Sequence, residues 1–144
     1  MNGIKVKFWG VRGSFPIPKS EDSFGGNTSC IEIRSYPNNE LVLFDMGTGL
    51  RNFGNSILKE KTQISDINIV LSHFHYDHIL GFLMFIPLFV DKFNVNIFAP
   101  GESDQEIKTK FGPLGHGPLE FGKTLGILEN PRNWVETLGI GLKP

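Results

Sequence analysis

Residues 71–81 read LSHFHYDHILG, and no other stretch limits the chain's possibilities as sharply. Three of the four histidines in the sequence, and an aspartate, fall between positions 73 and 78. The run ahead of them, INIVLS (67–72), is short and almost wholly apolar, which predicts a buried strand. A strand ending at Ser72 delivers His73, His75, Asp77 and His78 into the loop at its tip. His73 and His75, two positions apart, can meet one cation. Asp77 and His78 follow where the chain turns into the next helix, and they can face a second cation. Imidazole and carboxylate suit zinc, manganese or iron. Two such ions about 3.5–4 Å apart can share a hydroxide and clamp both oxygens of a phosphodiester displacement. The alternative is a polar or pH-sensitive loop, and four ligand-type side chains at the end of an apolar strand weigh against it.

The flanking sequence supplies a scaffold for such a loop. IKVKFWG (4–10) alternates and is rich in β-formers, so it predicts a first strand, followed by a long loop through VRGSFPIPKSEDSFGGN. CIEIRSY and ELVLFD flank PNN, which predicts a hairpin over 30–45 with its turn at Pro37–Asn39. Leu50, Phe53, Ile57 and Leu58 recur at helical spacing, giving an amphipathic helix near 50–61. NVNIFAP (94–100) predicts another strand. ILGFLMFIPLFV (79–90) has twelve residues, too few to span a bilayer, and predicts a buried helix over 78–90 that Pro87 kinks or ends. Ser103 and Glu106 have capping-box spacing, which predicts a short helix over 104–110. Residues 111–144 then change character, with seven glycines and four prolines and no clear strand alternation. NPRNWVETLG within them fits one short helix capped by Asn130. The expectation is a β-rich α/β unit over 1–110 and a Gly/Pro-rich tail over 111–144.

With 144 residues the chain fits one domain and can bury a core. A formal net charge of −1 gives no bulk attraction to nucleic acid, although a local basic patch is compatible with it. The single cysteine, Cys30, forms no internal disulfide, which suits a reducing compartment. MNGIKVKFWG lacks the long apolar run of a secretory signal. A soluble, cytoplasmic protein without membrane association is expected.

HFHYDH matches the H-x-H-x-D-H signature of the metallo-β-lactamase superfamily, and the resemblance extends beyond it. FWGVRGSFPIP, FGGNTSCIEIR and LVLFDMGTGLRNFG resemble, in order, the opening of a branch of metallo-hydrolases. That branch is related to ribonuclease Z and to cyclic-nucleotide phosphodiesterases of this fold, and the similarity runs over residues 4–100. It implies the N-terminal half of a four-layer αββα sandwich and two divalent ions, zinc or else manganese or iron. His73 and His75 would then hold the first ion, and Asp77 and His78 the second. Asp77 would also be catalytic, holding or accepting a proton from the attacking water. The resemblance gives Asp45 the role of orienting the motif loop from behind its ligands, against the alternative of a turn or helix-capping aspartate. Asn27 and Thr28, in the GGNTS loop, would approach the substrate, or else form the turn before the strand. Cys30 reads as a small buried residue and Arg12 as a loop arginine able to meet a phosphate. His116 lies in surroundings that match no family motif.

The family's second half, with its further histidines and bridging aspartate, is not recognisable here, and a frameshift or premature stop would produce such a tail. The function expected is metal-dependent hydrolysis of a small-molecule or nucleotide phosphodiester through a metal-bound hydroxide. The alternatives are hydrolysis of a thioester or lactam, and a catalytically incompetent fragment that binds metal and associates with other chains.

Overall fold

The structure, a computed structural model, describes residues 3–18, 24–61 and 63–100, together with the backbone of 125–127. Six strands form one sheet in the order of the chain: β1 (Gly3–Gly10), β2 (Cys30–Tyr36), β3 (Leu41–Phe44), β4 (Asp66–Val70), β5 (Asn94–Ala99) and β6 (Leu125–Ile127). The first three run antiparallel to one another and the last three continue in parallel from β3. The hairpin β2–β3 turns where the sequence places it, with Asn39 in the left-handed region at φ 58°. Helix α1 (Gly49–Lys59) is the crossover that makes β4 parallel to β3.

Helix α1 buries Leu50, Phe53 and Ile57 against Leu41, Leu43, Ile67, Ile69 and Ile97 of the sheet. Leu58, expected on the same stripe, is exposed on the outer side of the helix. Gly54 fills its place. A β-carbon there would lie 3.0 Å from the Phe85 ring and 3.1 Å from Pro87, so the missing side chain lets those residues pack onto the helix.

The opposite sheet face mixes apolar side chains with an asparagine pair. Val6, Ile33, Val42, Asn68 and Asn96 are register partners across five strands, and Val42, Val70 and Phe98 form a second buried cluster with Phe44. Towards the β1 edge this face opens, with Ile4, Val6 and Phe8 respectively 60%, 49% and 62% exposed. The charged residues of β2 point the other way, towards α1. Glu32 and Arg34 are both buried there. Glu32 accepts from Trp9 Nε1 at 2.8 Å and from Arg34 Nε at 2.9 Å, while Arg34 reaches Glu60 at 2.6 Å. Burial alone would lower the Arg34 pKa. The bonds to Glu60 and the charges of Glu32 and Glu60 outweigh that effect and raise it.

The expected helix over 78–90 is not continuous. In its place are a single turn, α2 (Tyr76–Ile79), and two 3₁₀ turns, Phe82–Met84 and Ile86–Phe89. Two features break it. Gly81 donates its amide to Met46 O at 2.8 Å rather than to a carbonyl of its own helix. Phe85 takes φ −90°, ψ 86°, outside the helical region, ahead of Pro87, which has no amide to donate. Phe82 and Phe85 are buried, whereas Leu83, Met84, Ile86 and Phe89 face outward.

In the tail, β6 pairs in parallel with β5, so the segment read as lacking strand signals contributes a strand. The expected helices over 104–110 and within 130–139, and His116, lie outside the described residues. No helix among the described residues is long and apolar enough to cross a membrane.

Candidate metal centre

The carboxyl ends of β3 and β4 lie side by side, since Phe44 pairs with Val70. Asp45 follows the first and Ser72 to His78 follow the second, which puts the motif loop at the edge where open α/β sheets bind ligands. Phe74 packs against the main core. In an extended segment its neighbours His73 and His75 must then face the other way. The ring centroids of His73 and His75 are 4.4 Å apart, and those of His73 and His78 are 4.1 Å apart. Asp77 Oδ2 lies 3.5 Å from His78 Nε2. The structure therefore brings His73, His75, Asp77 and His78 together.

Asp45 sits behind this group. It takes a left-handed conformation, φ 64°, and its carboxylate accepts from four donors. Ser29 Oγ and His78 Nδ1 meet Oδ2 at 2.9 and 2.8 Å, and the Ser72 amide and hydroxyl meet Oδ1 at 2.9 and 2.7 Å. A carboxylate only accepts, so the proton of neutral His78 is on Nδ1 and the Nε2 lone pair faces Asp77. Ser72 Oγ, whose single proton goes to Asp45, accepts from His73 Nδ1 at 3.0 Å, which frees His73 Nε2 in the same way. Asp45 does not cap α1. The cap position is Thr48, which makes no side-chain capping bond. Ser72 and Ser29 went unnoticed in the sequence, where a lone serine carries no signal; only the fold shows them sharing one carboxylate.

Asp77 is held from the first loop. The Ser14 amide donates to its Oδ2 at 2.9 Å. This hydrogen bond lowers the Asp77 pKa; burial opposes the shift, and His78 and His75 add to it. The bed beneath the motif is the segment after β3. Met46 N donates to His78 O at 2.7 Å, and a β-carbon on Gly47 would lie 2.4 Å from Asp77 O.

Asn27 and Thr28 take part in the turn before β2, the alternative the sequence offered for them. Thr28 is fully buried, and its hydroxyl accepts the Thr48 amide at 2.8 Å. Thr48 Oγ1 in turn accepts from the Thr28 amide and donates to Asn27 Oδ1 at 3.1 Å. This reciprocal pair staples the GGNTS loop to the GTG turn. Arg12 bridges to Thr28 through its backbone. Cys30 is fully buried, and burial, with Asp45 and Glu32 nearby, pushes its thiol far above the ordinary range, so it is inert as a nucleophile.

Among the described residues no three His, Cys, Asp or Glu side chains are arranged to hold one ion, and the motif itself offers two donors to each of two ions. The donors nonetheless fit a divalent cation in kind and, at one pair, in spacing. Bonds of about 2.0–2.2 Å to a tetrahedral zinc put its donors about 3.4 Å apart, and Asp77 Oδ2 and His78 Nε2 are 3.5 Å apart.

Ribonuclease Z of Thermoplasma acidophilum is 32% identical to this chain over 145 residues, covering 92% of the chain and 41% of that protein. The chain is related to ribonuclease Z. A second ribonuclease Z, from Methanosarcina mazei, is 28% identical over 137 residues, with the same 92% and 41% coverage. These similarities bear out the resemblance read from the motifs, and the family is one of hydrolases. The chain spans about two fifths of the length of these curated relatives. No family model and no solved structure matches it.

Proposed function

We propose that this chain carries the metal-holding half of a phosphodiester hydrolase, with its sheet as one side of an αββα sandwich. Asp77 and His78 would hold one divalent cation, zinc in the first instance, and His73 and His75 would hold a second. Donors outside the described residues, or water, would complete each shell. The cation supplies Lewis acidity at the phosphoryl group and at the attacking water. Asp45 keeps the His78 ring turned so that Nε2 stays available, and Ser72 does the same for His73. Asp77, fixed by the Ser14 amide, is the carboxylate placed to take the proton of the attacking water. A cytoplasmic setting belongs to the same reading.

The observation that carries this proposal is the Asp45–His78–Asp77 line, with contacts of 2.8 and 3.5 Å. A histidine fixed by a carboxylate on one nitrogen and aimed beside a second carboxylate is the usual arrangement of a metal-ligating imidazole. The related ribonucleases favour phosphodiester over thioester or lactam chemistry. The test is to load the 144-residue chain with zinc or manganese and compare bis(p-nitrophenyl) phosphate with an aryl thioester. The expected result is metal-dependent release of nitrophenol from the phosphate and none from the thioester. The reverse preference would contradict the proposal.

One observation favours a second reading, a chain that binds metal but needs another chain to turn over substrate: the exposure of Ile4, Val6 and Phe8 on one sheet face. Metal binding without hydrolysis, combined with self-association, would support it.

A further inference from the structure

Helix α1 leaves an open cleft of about 180 Å³ between itself and strands β1 and β2. That space holds about six waters, against the roughly 300–1,000 Å³ of sites for drug-sized ligands, so only a small molecule fits. At one end a β-carbon on Gly49 would come 2.7 Å from the Trp9 carbonyl carbon, and the Trp9 and Phe53 rings meet edge to face with centroids 6.0 Å apart. At the other end Arg34, the register partner of Lys5, reaches Glu60. That end is remote from the motif loop, since Arg34 pairs with Leu41 at the start of β3 and the loop stands beyond Phe44 and Val70. The cleft is separate from the metal centre.

Its charges do not balance. Three cationic residues, Lys5, Lys7 and Arg34, share it with two carboxylates, Glu32 and Glu60. Arg34 engages both carboxylates, Glu32 at 2.8 Å and Glu60 at 2.6 Å. The Lys7 ammonium lies over the Trp9 ring, 3.6 Å from its centroid. Lys5 has no such partner. Among the described residues its ammonium and the Tyr36 and Ser56 hydroxyls, which line the same cleft, make no hydrogen bond. Ser56 stands one turn before Glu60 on α1, and all three groups can donate. The cleft thus joins an end closed by two rings to an end with spare donors and one unmatched positive charge.

We propose that this cleft binds a small monocarboxylate, with its carboxylate on the Lys5 ammonium and the Tyr36 and Ser56 hydroxyls and its short apolar chain towards Trp9 and Phe53. One negative charge brings the lining to neutrality. Hydrogen bonds from an ammonium to a carboxylate are about twice as strong as neutral ones, which favours the acid over its amide. A cation would meet Lys5 and find both carboxylates already engaged by Arg34. The proposal does not depend on the phosphodiester reading.

The test is a titration of the 144-residue chain with sodium propionate, followed in assigned proton–nitrogen correlation spectra. Sodium chloride at equal ionic strength and propionamide, the uncharged isostere, are the controls. Propionate should shift the Trp9 indole N–H, which donates to Glu32 inside the cleft, and the Lys5, Tyr36 and Ser56 amides along one saturable curve. Neither control should do so. Lys5→Gln should weaken propionate binding about tenfold or more, the usual worth of a hydrogen bond to a charged group. Lys59→Gln, which removes an exposed charge outside the cleft, should leave binding unchanged. The dispersion of each spectrum shows whether the variant is folded, and the wild-type comparison with propionamide decides alone if it is not. Cleft shifts that do not saturate, or that chloride or propionamide reproduces, would overturn the proposal. So would saturable shifts confined to His73–His78, or a folded Lys5→Gln chain that binds propionate as tightly as wild type.

Discussion

Replacing Gly81 with alanine should destabilise the chain by about 3 kcal/mol, the upper end of the usual cost of forcing extra atoms into a packed site, and should disorder the motif loop with it. Gly81 has φ −73°, which alanine adopts freely, and in open space the exchange would stabilise by about 0.4–1 kcal/mol. The space is not open. A β-carbon would lie 1.9 Å from Gly47 O and 2.9 Å from Met46 O, both backbone atoms that cannot rotate aside. To relieve the clash, α2 must lift from the bed on which Met46 N holds His78 O and Gly47 underlies Asp77. His78 and Asp77 would then lose their relation to Asp45, so metal affinity should fall together with stability. Gly13→Ala is the control, because nothing lies within 4 Å of a β-carbon there. Urea denaturation of both variants checks the prediction. A Gly81→Ala midpoint equal to or above wild type would contradict the close packing described.

The second large effect is expected at Arg34. Arg34→Met should cost about 3–5 kcal/mol, because it strips the buried Glu32 carboxylate of its counter-charge. Glu32 and Arg34 meet at 2.8 Å with both side chains nearly inaccessible, so solvent does little to screen the loss. The Glu60 end of the network is more exposed and should matter little. The double replacement Glu32→Gln with Arg34→Met should recover most of the stability, since the amide oxygen still accepts from Trp9 Nε1 and no buried charge remains. Denaturant midpoints of the single and double variants test this. A single variant as stable as wild type would show that the pair is solvated.

The same network shows where the sequence was legible and where it was not. The strands at 4–10 and 94–100, the hairpin and the α1 stripe followed from periodicity and turn chemistry, because each is set within a few residues. The direction in which β1 and β2 face did not. Alternating Ile31, Ile33 with Glu32, Arg34 predicts by pattern alone that the isoleucines turn inward, yet the fold buries the charges under α1, where Trp9 and Glu60 satisfy them. That choice depends on partners 23 and 26 residues away in the chain. The break at Gly81 was hidden for the same reason, as the partner of its amide is the carbonyl of Met46 across the loop. In the candidate site, spacing alone marked His73, His75, Asp77 and His78. Ser72, Ser29 and Ser14 became visible only as hydrogen-bond partners of Asp45 and Asp77.

The most direct test of the metal-centre account is a zinc titration of the chain against a competing chromophoric chelator, repeated for His78→Ala and Asp45→Asn. The account predicts that the wild-type chain withdraws zinc from the chelator and that His78→Ala does not. Asp45→Asn should fall between them, with affinity lowered about 10- to 100-fold, because the amide can no longer hold the His78 ring through a carboxylate. A wild-type chain that takes up no zinc, or a His78→Ala chain that binds it as tightly as wild type, would contradict the account.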